Sequence, residues 1–105
     1  MAEHNKLGKW GEETVCQYLV KEGYAIVERN WRMEHLEIDI IAEKEGWIVF
    51  VEVKTRRTEG ERLSDIMTSR KMSRLVRAAN GYLTSRKVEL KPRFDVAFVS
   101  GTPSS

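Results

Sequence analysis

This 105-residue chain has a single cysteine, two histidines and two prolines, and each scarcity removes a class of answer. Cys16 has no partner for an internal disulfide, and with only His4 and His35 beside it there is no zinc-binding set. Its expected role is an inert, semi-buried side chain, not a catalytic thiol. The longest unbroken apolar stretch, Trp47 to Val51, falls far short of the roughly 20 residues that span a bilayer. The first residues, Met1-Ala2-Glu3-His4-Asn5, lack the apolar core of a secretory signal, so the expectation is a cytoplasmic protein with no membrane association. Charge of neither sign dominates: 18 Lys and Arg against 16 Asp and Glu leave a net +2. Composition alone therefore does not announce a nucleic-acid binder, and any basic surface must come from the distribution of charge.

What is present describes a soluble globular chain, with 41% hydrophobic and 32% charged residues. The length suits one domain with one core, expected over residues 1–100, followed by a flexible tail at 101–105. A helix is predicted from about Asn5, a candidate N-cap, to Glu22, with Gly23 as its stop and Leu7, Trp10, Val15, Tyr18 and Leu19 along one arc. Glu12 sits at the edge of that arc and Glu13 points away. A first strand is predicted over about Tyr24 to Arg29, with Asn30 to Glu34 as a connection. Thr55 to Ser64 reads as a mobile polar loop. A second helix runs from about Ser69 to Ser85, with Met72, Leu75, Val76, Ala79 and Leu83 on its apolar face and Arg70, Arg74 and Arg77 opposite. A last strand follows at about Arg93 to Val99, entered by Pro92. This order gives an α/β or α+β sheet with helices packed on it, and the long connection through the second helix lets the last strand join parallel to the third.

The segment Leu36 to Lys54 carries most of the chemistry. Leu36, Ile38 and Ile40 alternate with Glu37, Asp39 and Ile41, and Trp47, Val49, Val51 and Val53 alternate with Ile48, Phe50, Glu52 and Lys54, giving two period-two runs. A hairpin centred on Glu45 and Gly46 sets Ile41 opposite Phe50, Asp39 opposite Glu52 and Glu37 opposite Lys54. Opposed residues share a sheet face about 4.5–5.5 Å apart, so carboxylates would converge where like charges repel. A divalent cation is the simplest agent that makes this favourable. Slipping the register by one residue would instead set Asp39 against Val51 or Val53 on the other face.

Phosphodiester hydrolysis needs an activated water, neutralised phosphate oxygens and an exit for the leaving oxygen, all of which carboxylate-held magnesium supplies. Asp39 and Glu52 could hold the ion with the main-chain carbonyl of Val53, and Lys54 could stabilise transition-state charge. The plainer account is a solvent-facing Glu52–Lys54 ion pair. Against it, Ile41, Ile48 and Phe50 look buried, and buried charges need partners. Arg56, Arg57 and Arg62 with Arg70, Arg74 and Arg77 are candidates for phosphate contact, although Glu59, Glu61 and Asp65 interrupt the positive run. Trp31 reads as a packing residue and His35 as a surface residue.

Gly11-Glu12, Glu37-Ile38-Asp39, Glu52-Val53-Lys54-Thr55-Arg56, Lys71 and Arg93-Phe94-Asp95-Val96, taken in order, resemble the bacterial YraN-like family. That largely uncharacterised group resembles the restriction-endonuclease-like PD-(D/E)xK nucleases and archaeal Holliday-junction resolvases. The resemblance implies an α/β fold of restriction-endonuclease-like core, a central mixed sheet flanked by helices. It also implies a catalytic set of Glu12, Asp39, Glu52 and Lys54, with Mg2+ or Mn2+ held by Asp39, Glu52, Val53 and Glu12. Nucleic-acid contacts would fall to Arg56, Arg57, Arg70, Lys71, Arg74 and Arg77. Asp95 is expected to pair with Arg93 or Lys71. Leu36 departs from the family pattern, which usually has Gly before Glu-Ile-Asp, so altered local backbone is expected there. The leading expectation is a metal-dependent DNA endonuclease acting on branched or structured DNA, for which a homodimer would suit two-strand cutting. The alternatives are a catalytically inactive nucleic-acid-binding module of the same fold, and an interaction domain with a structural acidic cluster.

Overall fold

A computed structural model describes residues 2–58, 60 and 62–103; Met1, Glu59, Glu61 and the tail residues 104–105 lie outside it, and for residues 2–5 and 63 only the backbone is described. The elements are α1 (Ala2–Lys21), β1 (Ala25–Met33), β2 (Leu36–Lys44), β3 (Trp47–Arg56), α2 (Leu63–Ile66), α3 (Ser69–Arg86) and β4 (Lys91–Ser100). The strands form one mixed sheet in the order β1-β2-β3-β4, antiparallel up to β3 and parallel between β3 and β4. This is the α/β sheet with flanking helices expected from the sequence, and the last strand joins parallel to the third.

Boundaries differ from the sequence pattern at several points. α1 already runs at Ala2, so Asn5 lies inside the helix and is not its cap. β1 continues through Asn30–Met33, which the pattern reads as a connection, and turns into β2 at Glu34 and His35. Thr55 and Arg56 complete β3, and α2 occupies part of the segment expected to be a loop. Thr68 caps α3, its hydroxyl accepting from the Lys71 N–H at 3.3 Å, which shields one orphan donor of the first turn.

Helices cover both faces of the sheet. Val15, Cys16 and Leu19 of α1 pack on Ile40, Ala42, Val49 and Val51. Tyr18 is 60% exposed, so Cys16 takes the inward place expected of that tyrosine. Burial raises the pKa of the Cys16 thiol, which works against thiolate chemistry. On the other face Leu75, Ala78, Ala79 and Tyr82 of α3 pack on Leu36, Ile38, Ile41, Ile48 and Phe50. Trp31 meets Tyr82 edge-on at 5.2 Å between ring centroids, a packing role. No helix among the described residues is long and apolar enough to cross a membrane.

Gly11 lets α1 lie close against β3. A Cβ there would overlap the Thr55 side chain, and Gly11 is buried in mid-helix, where glycine costs about 1 kcal/mol against alanine. Close approach, with Glu12 brought along, offsets that cost. Gly11→Ala should therefore destabilise the fold by about 1–3 kcal/mol in urea unfolding despite its better helix propensity. Adding Thr55→Ala should recover some of the loss, so that the double variant costs less than the sum of the two.

Candidate functional site at the parting of two strands

The hairpin has the anticipated register over Ile40↔Val51, Ile41↔Phe50, Ala42↔Val49, Glu43↔Ile48 and Lys44↔Trp47, and the β2–β3 ladder ends there. Asp39 and Glu52 are therefore not a ladder pair, nor are Glu37 and Lys54. The two strands diverge just beyond Ile40, and the reason lies in β2. Ile38 packs in the α3 cluster and Ile40 in the α1 cluster, although residues two apart on a strand should share a face. Period two fails at Asp39. The facing row of β1 fails with it: Arg29 bonds to Glu13 of α1, Trp31 packs on Tyr82 of α3, and Asn30 between them has a φ of 52°. Asn30 and Asp39 are skipped in the β1–β2 register.

This irregularity frees Asp39 to reach β3. Its Oδ2 accepts from the Val53 N–H at 2.8 Å, in the place where a β2 carbonyl would have continued the ladder. In a parallel pair alternate residues bond the neighbour, and the bonds from Lys91 N–H to the Gly46 carbonyl and from Gly101 N–H to the Arg56 carbonyl show that even-numbered residues of β3 serve β4. Val53 therefore turns both its N–H and its carbonyl toward the gap beside β2.

The gap opens into a cleft of about 400 Å³ lined by Glu12, His35, Glu37, Asp39, Glu52, Val53, Lys54, Lys71, Arg74 and Leu75. The Lys54 ammonium sits 3.1 Å from Glu52 Oε2, with both side chains largely shielded from solvent. Burial pushes Asp39 up to a pKa of about 7; the Val53 hydrogen bond opposes this, and Glu52 and Glu12 add to it through their negative charge. Asp39, Glu52 and Glu12 all line this cleft, and both glutamates lie within electrostatic reach of Asp39. Among the described residues no three His, Cys, Asp or Glu side chains converge as a preformed metal cage. Asp39 and Glu52 with the Val53 carbonyl form a hard-oxygen set, which fits magnesium because that ion takes one or two carboxylates and keeps several waters.

The remaining candidates divide. Lys71 and Arg74 line the cleft, and Arg74 also donates to the His35 carbonyl at 3.1 Å. Arg56, Arg57, Arg70 and Arg77 lie outside its lining; Arg56 donates to the Thr55 carbonyl and Arg57 borders a separate hollow near Thr102. Glu37 faces Arg32 at 3.8 Å, and Lys54, which the anticipated register sets opposite Glu37, pairs with Glu52. Asp95 takes two hydrogen bonds from Arg93, which also donates to the Tyr24 hydroxyl. Leu36, in place of the expected glycine, is buried under α3. His35 and Leu75 join the cleft lining although the sequence does not single them out for it. Nothing in the local pattern marks them, since one arrives through the β1–β2 turn and the other as the last core residue at the helix edge.

Residues 11–99 match the family described as Uncharacterised protein family UPF0102. The chain is 46% identical to a UPF0102 protein of Flavobacterium psychrophilum, over 94% of this chain and 84% of that one. It is 45% identical to a UPF0102 protein of Bacteroides thetaiotaomicron, over 96% and 84%. A UPF0102 protein of Oleidesulfovibrio alaskensis is 48% identical over 92% of this chain, which covers 49% of that longer protein.

The Asp39 environment sets a pH dependence. A carboxyl whose folded pKa is about 7, above its ordinary value of 3.8, holds a proton in the folded state that the unfolded state releases. Its contribution is complete below pH about 4 and is lost as pH rises through about 7. In metal-free buffer, unfolding should show this decline for the wild type. Asp39→Asn, which keeps an oxygen for the Val53 N–H, should flatten it and be the more stable protein at pH 8.

Proposed function

The chain belongs to the UPF0102 (YraN-like) family, as its ordered motifs anticipate, and we propose that its acidic cleft is the active site of a metal-dependent DNA endonuclease. The observation that carries this reading is that Asp39 and Glu52 line one cleft at the parting of β2 and β3, with the Lys54 ammonium 3.1 Å from Glu52. Two carboxylates in a half-buried cleft repel each other unless a proton or a cation intervenes. At neutral pH the proton is only marginally retained.

A divalent ion bound there supplies charge neutralisation at a scissile phosphate and acidifies water. Asp39 and Glu52 would hold it together with the Val53 carbonyl, and Glu12 would orient a water from the α1 side. Lys54, fixed by Glu52, presents its ammonium to the same space and stabilises charge developing on phosphate oxygens. Lys71 and Arg74, on the α3 rim, meet the flanking backbone and position the strand without reading its sequence. DNA is the expected partner, in branched or structured form, and Mg2+ or Mn2+ the expected cofactor.

The competing reading is a nucleic-acid-binding module of the same fold that does not turn over. Cleavage assays separate them. With Mg2+ or Mn2+, the wild type should cut linear, supercoiled or four-way-junction DNA, Asp39→Asn and Glu52→Gln should each lower the rate by at least about 1000-fold, and Lys54→Ala by about 100-fold. DNA left intact by the wild type with either metal, together with binding that weakens steeply with salt, would move the assignment to the binding module.

Metal affinity adds a test that needs no substrate. Asp39 must lose its proton to ligate, so calorimetry should show Mn2+ affinity falling about tenfold per pH unit below about 7 in the wild type. Proton release should accompany binding in that range. In Asp39→Asn both signals should vanish.

A further inference from the structure

The two edges of the sheet are unlike. β1 is a blunted edge: its pairing shifts between Ile26 and Glu28, Asn30 breaks its run, and Glu28, Arg29 and Arg32 charge it. β4 has neither the register shift nor the left-handed residue, although it carries Lys91, Pro92, Arg93 and Asp95. Its register with β3 is unbroken from Lys91 to Ser100, and Phe94 and Phe98 stand 36% and 39% exposed on it. The odd-numbered residues of β4 turn toward α1, where Ala97 and Val99 pack, and bond to β3. Phe94, Val96 and Phe98 therefore lie on the opposite face, with their N–H and carbonyl groups directed away from the sheet. Pro92 belongs to the same outward set; its missing N–H leaves no bond to β3 unmade and ends the run of outward donors at Phe94.

We propose that β4 pairs with β4 of a second copy of this chain, antiparallel about a two-fold axis at Val96. The apolar pattern Phe94-x-Val96-x-Phe98 reads the same in both directions, which is what an isologous contact requires. On that axis Val96 faces the partner's Val96, and Phe94 faces the partner's Phe98. Every one of these residues is outward-bonding, so the register that pairs the aromatic rings also closes the main-chain hydrogen bonds. A one-residue slip would set outward groups against inward ones. Charge does not oppose the union, because Arg93 and Asp95 neutralise each other within each copy. A foreign strand would need no mirror-symmetric pattern, and this symmetry identifies the occupant as the chain itself.

The result is a continuous eight-stranded sheet with both clefts on one side. Glu52 is level with Val96 in the β3–β4 register, so the two Glu52 positions lie three strand spacings apart, roughly 14 Å. Resting on the nuclease reading, that spacing would give one assembly a cut in each of two strands. The dimer itself does not depend on catalysis.

Sedimentation of metal-free protein is the test. Wild type should be dimeric at about 50 μM, and Phe98→Lys should weaken association at least tenfold while leaving the circular dichroism unchanged. Val96→Cys should be captured as a dimer by a short bismaleimide, whereas Val27→Cys on the exposed opposite edge should not; the native Cys16 is buried in both. A wild type that stays monomeric to about 1 mM, a dimer indifferent to Phe98→Lys, or equal capture at both edges would overturn the proposal. Loss of DNA cleavage with the dimer intact would strike the nuclease reading alone.

Discussion

Asp39 Oδ2 accepts from the Val53 N–H, and this one bond joins the architecture to the chemistry. A sheet that opens in its middle leaves main-chain donors unpaired, and a shielded unpaired donor costs about 1–3 kcal/mol. Answering it with a side chain lets β2 and β3 diverge without that penalty. The same bond aims a carboxylate into the opening, where Glu52 and the Val53 carbonyl already point. The divergence and the acidic site are thus one feature seen from the backbone and from the side chains.

The electrostatics follow from that placement. Desolvation is the largest influence on Asp39 and acts against its ionised form, while the Val53 N–H acts for it. Glu52 also raises Asp39, although Lys54 stands 3.1 Å from Glu52 and offsets part of its charge. The local balance leaves Asp39 near neutrality, half committed to a proton. On the proposed reading, a site so poised would exchange that proton for a cation at small cost, whereas a fully solvated carboxylate pair would gain less from either.

Much of this is legible in the chain. The turn at Glu45 and Gly46 fixes the hairpin register from Ile40 to Lys44, because a tight turn and two apolar alternations leave little freedom. The glycine beside Glu12 signals close approach, since a mid-helix glycine is otherwise a loss. What the sequence does not disclose is the break at Asp39. Period-two counting assumes an unbroken strand, and Asn30 and Asp39 leave it together through an irregularity of paired strands that no single segment reveals. The convergence of Asp39 with Glu52 is anticipated by the pattern, yet it arises from diverging strands and not from opposed ladder positions. The same blind spot makes Asn30–Met33 read as a connection, because a polar strand with a left-handed residue looks like one. Tyr18 fails differently: an aromatic at the margin of a helical arc gives no sign of whether the sheet extends beneath it.

The placement of α3 ties the cleft to the bare face of β4. Leu36, Ile38 and Ile41 make the α3 side of β2 aliphatic, and the helix settles over β1 and β2. Ile48 and Phe50 continue that surface on β3, but Glu52 and Lys54 then occupy the same face, and a helix laid across them would have to desolvate both charges. α3 therefore stops short, with Lys71 and Arg74 at its near edge and Leu75 as its last contact with the core. Beyond Glu52 and Lys54, level with them on β4, Val96 is half-buried and Phe98 is 39% exposed. Phe94 stacks on the Phe50 ring at 5.6 Å between centroids and is 36% exposed. The charges at the cleft thus exclude the helix that would have covered the outer strand, and the apolar surface left on β4 is what the proposed pairing of two copies would bury.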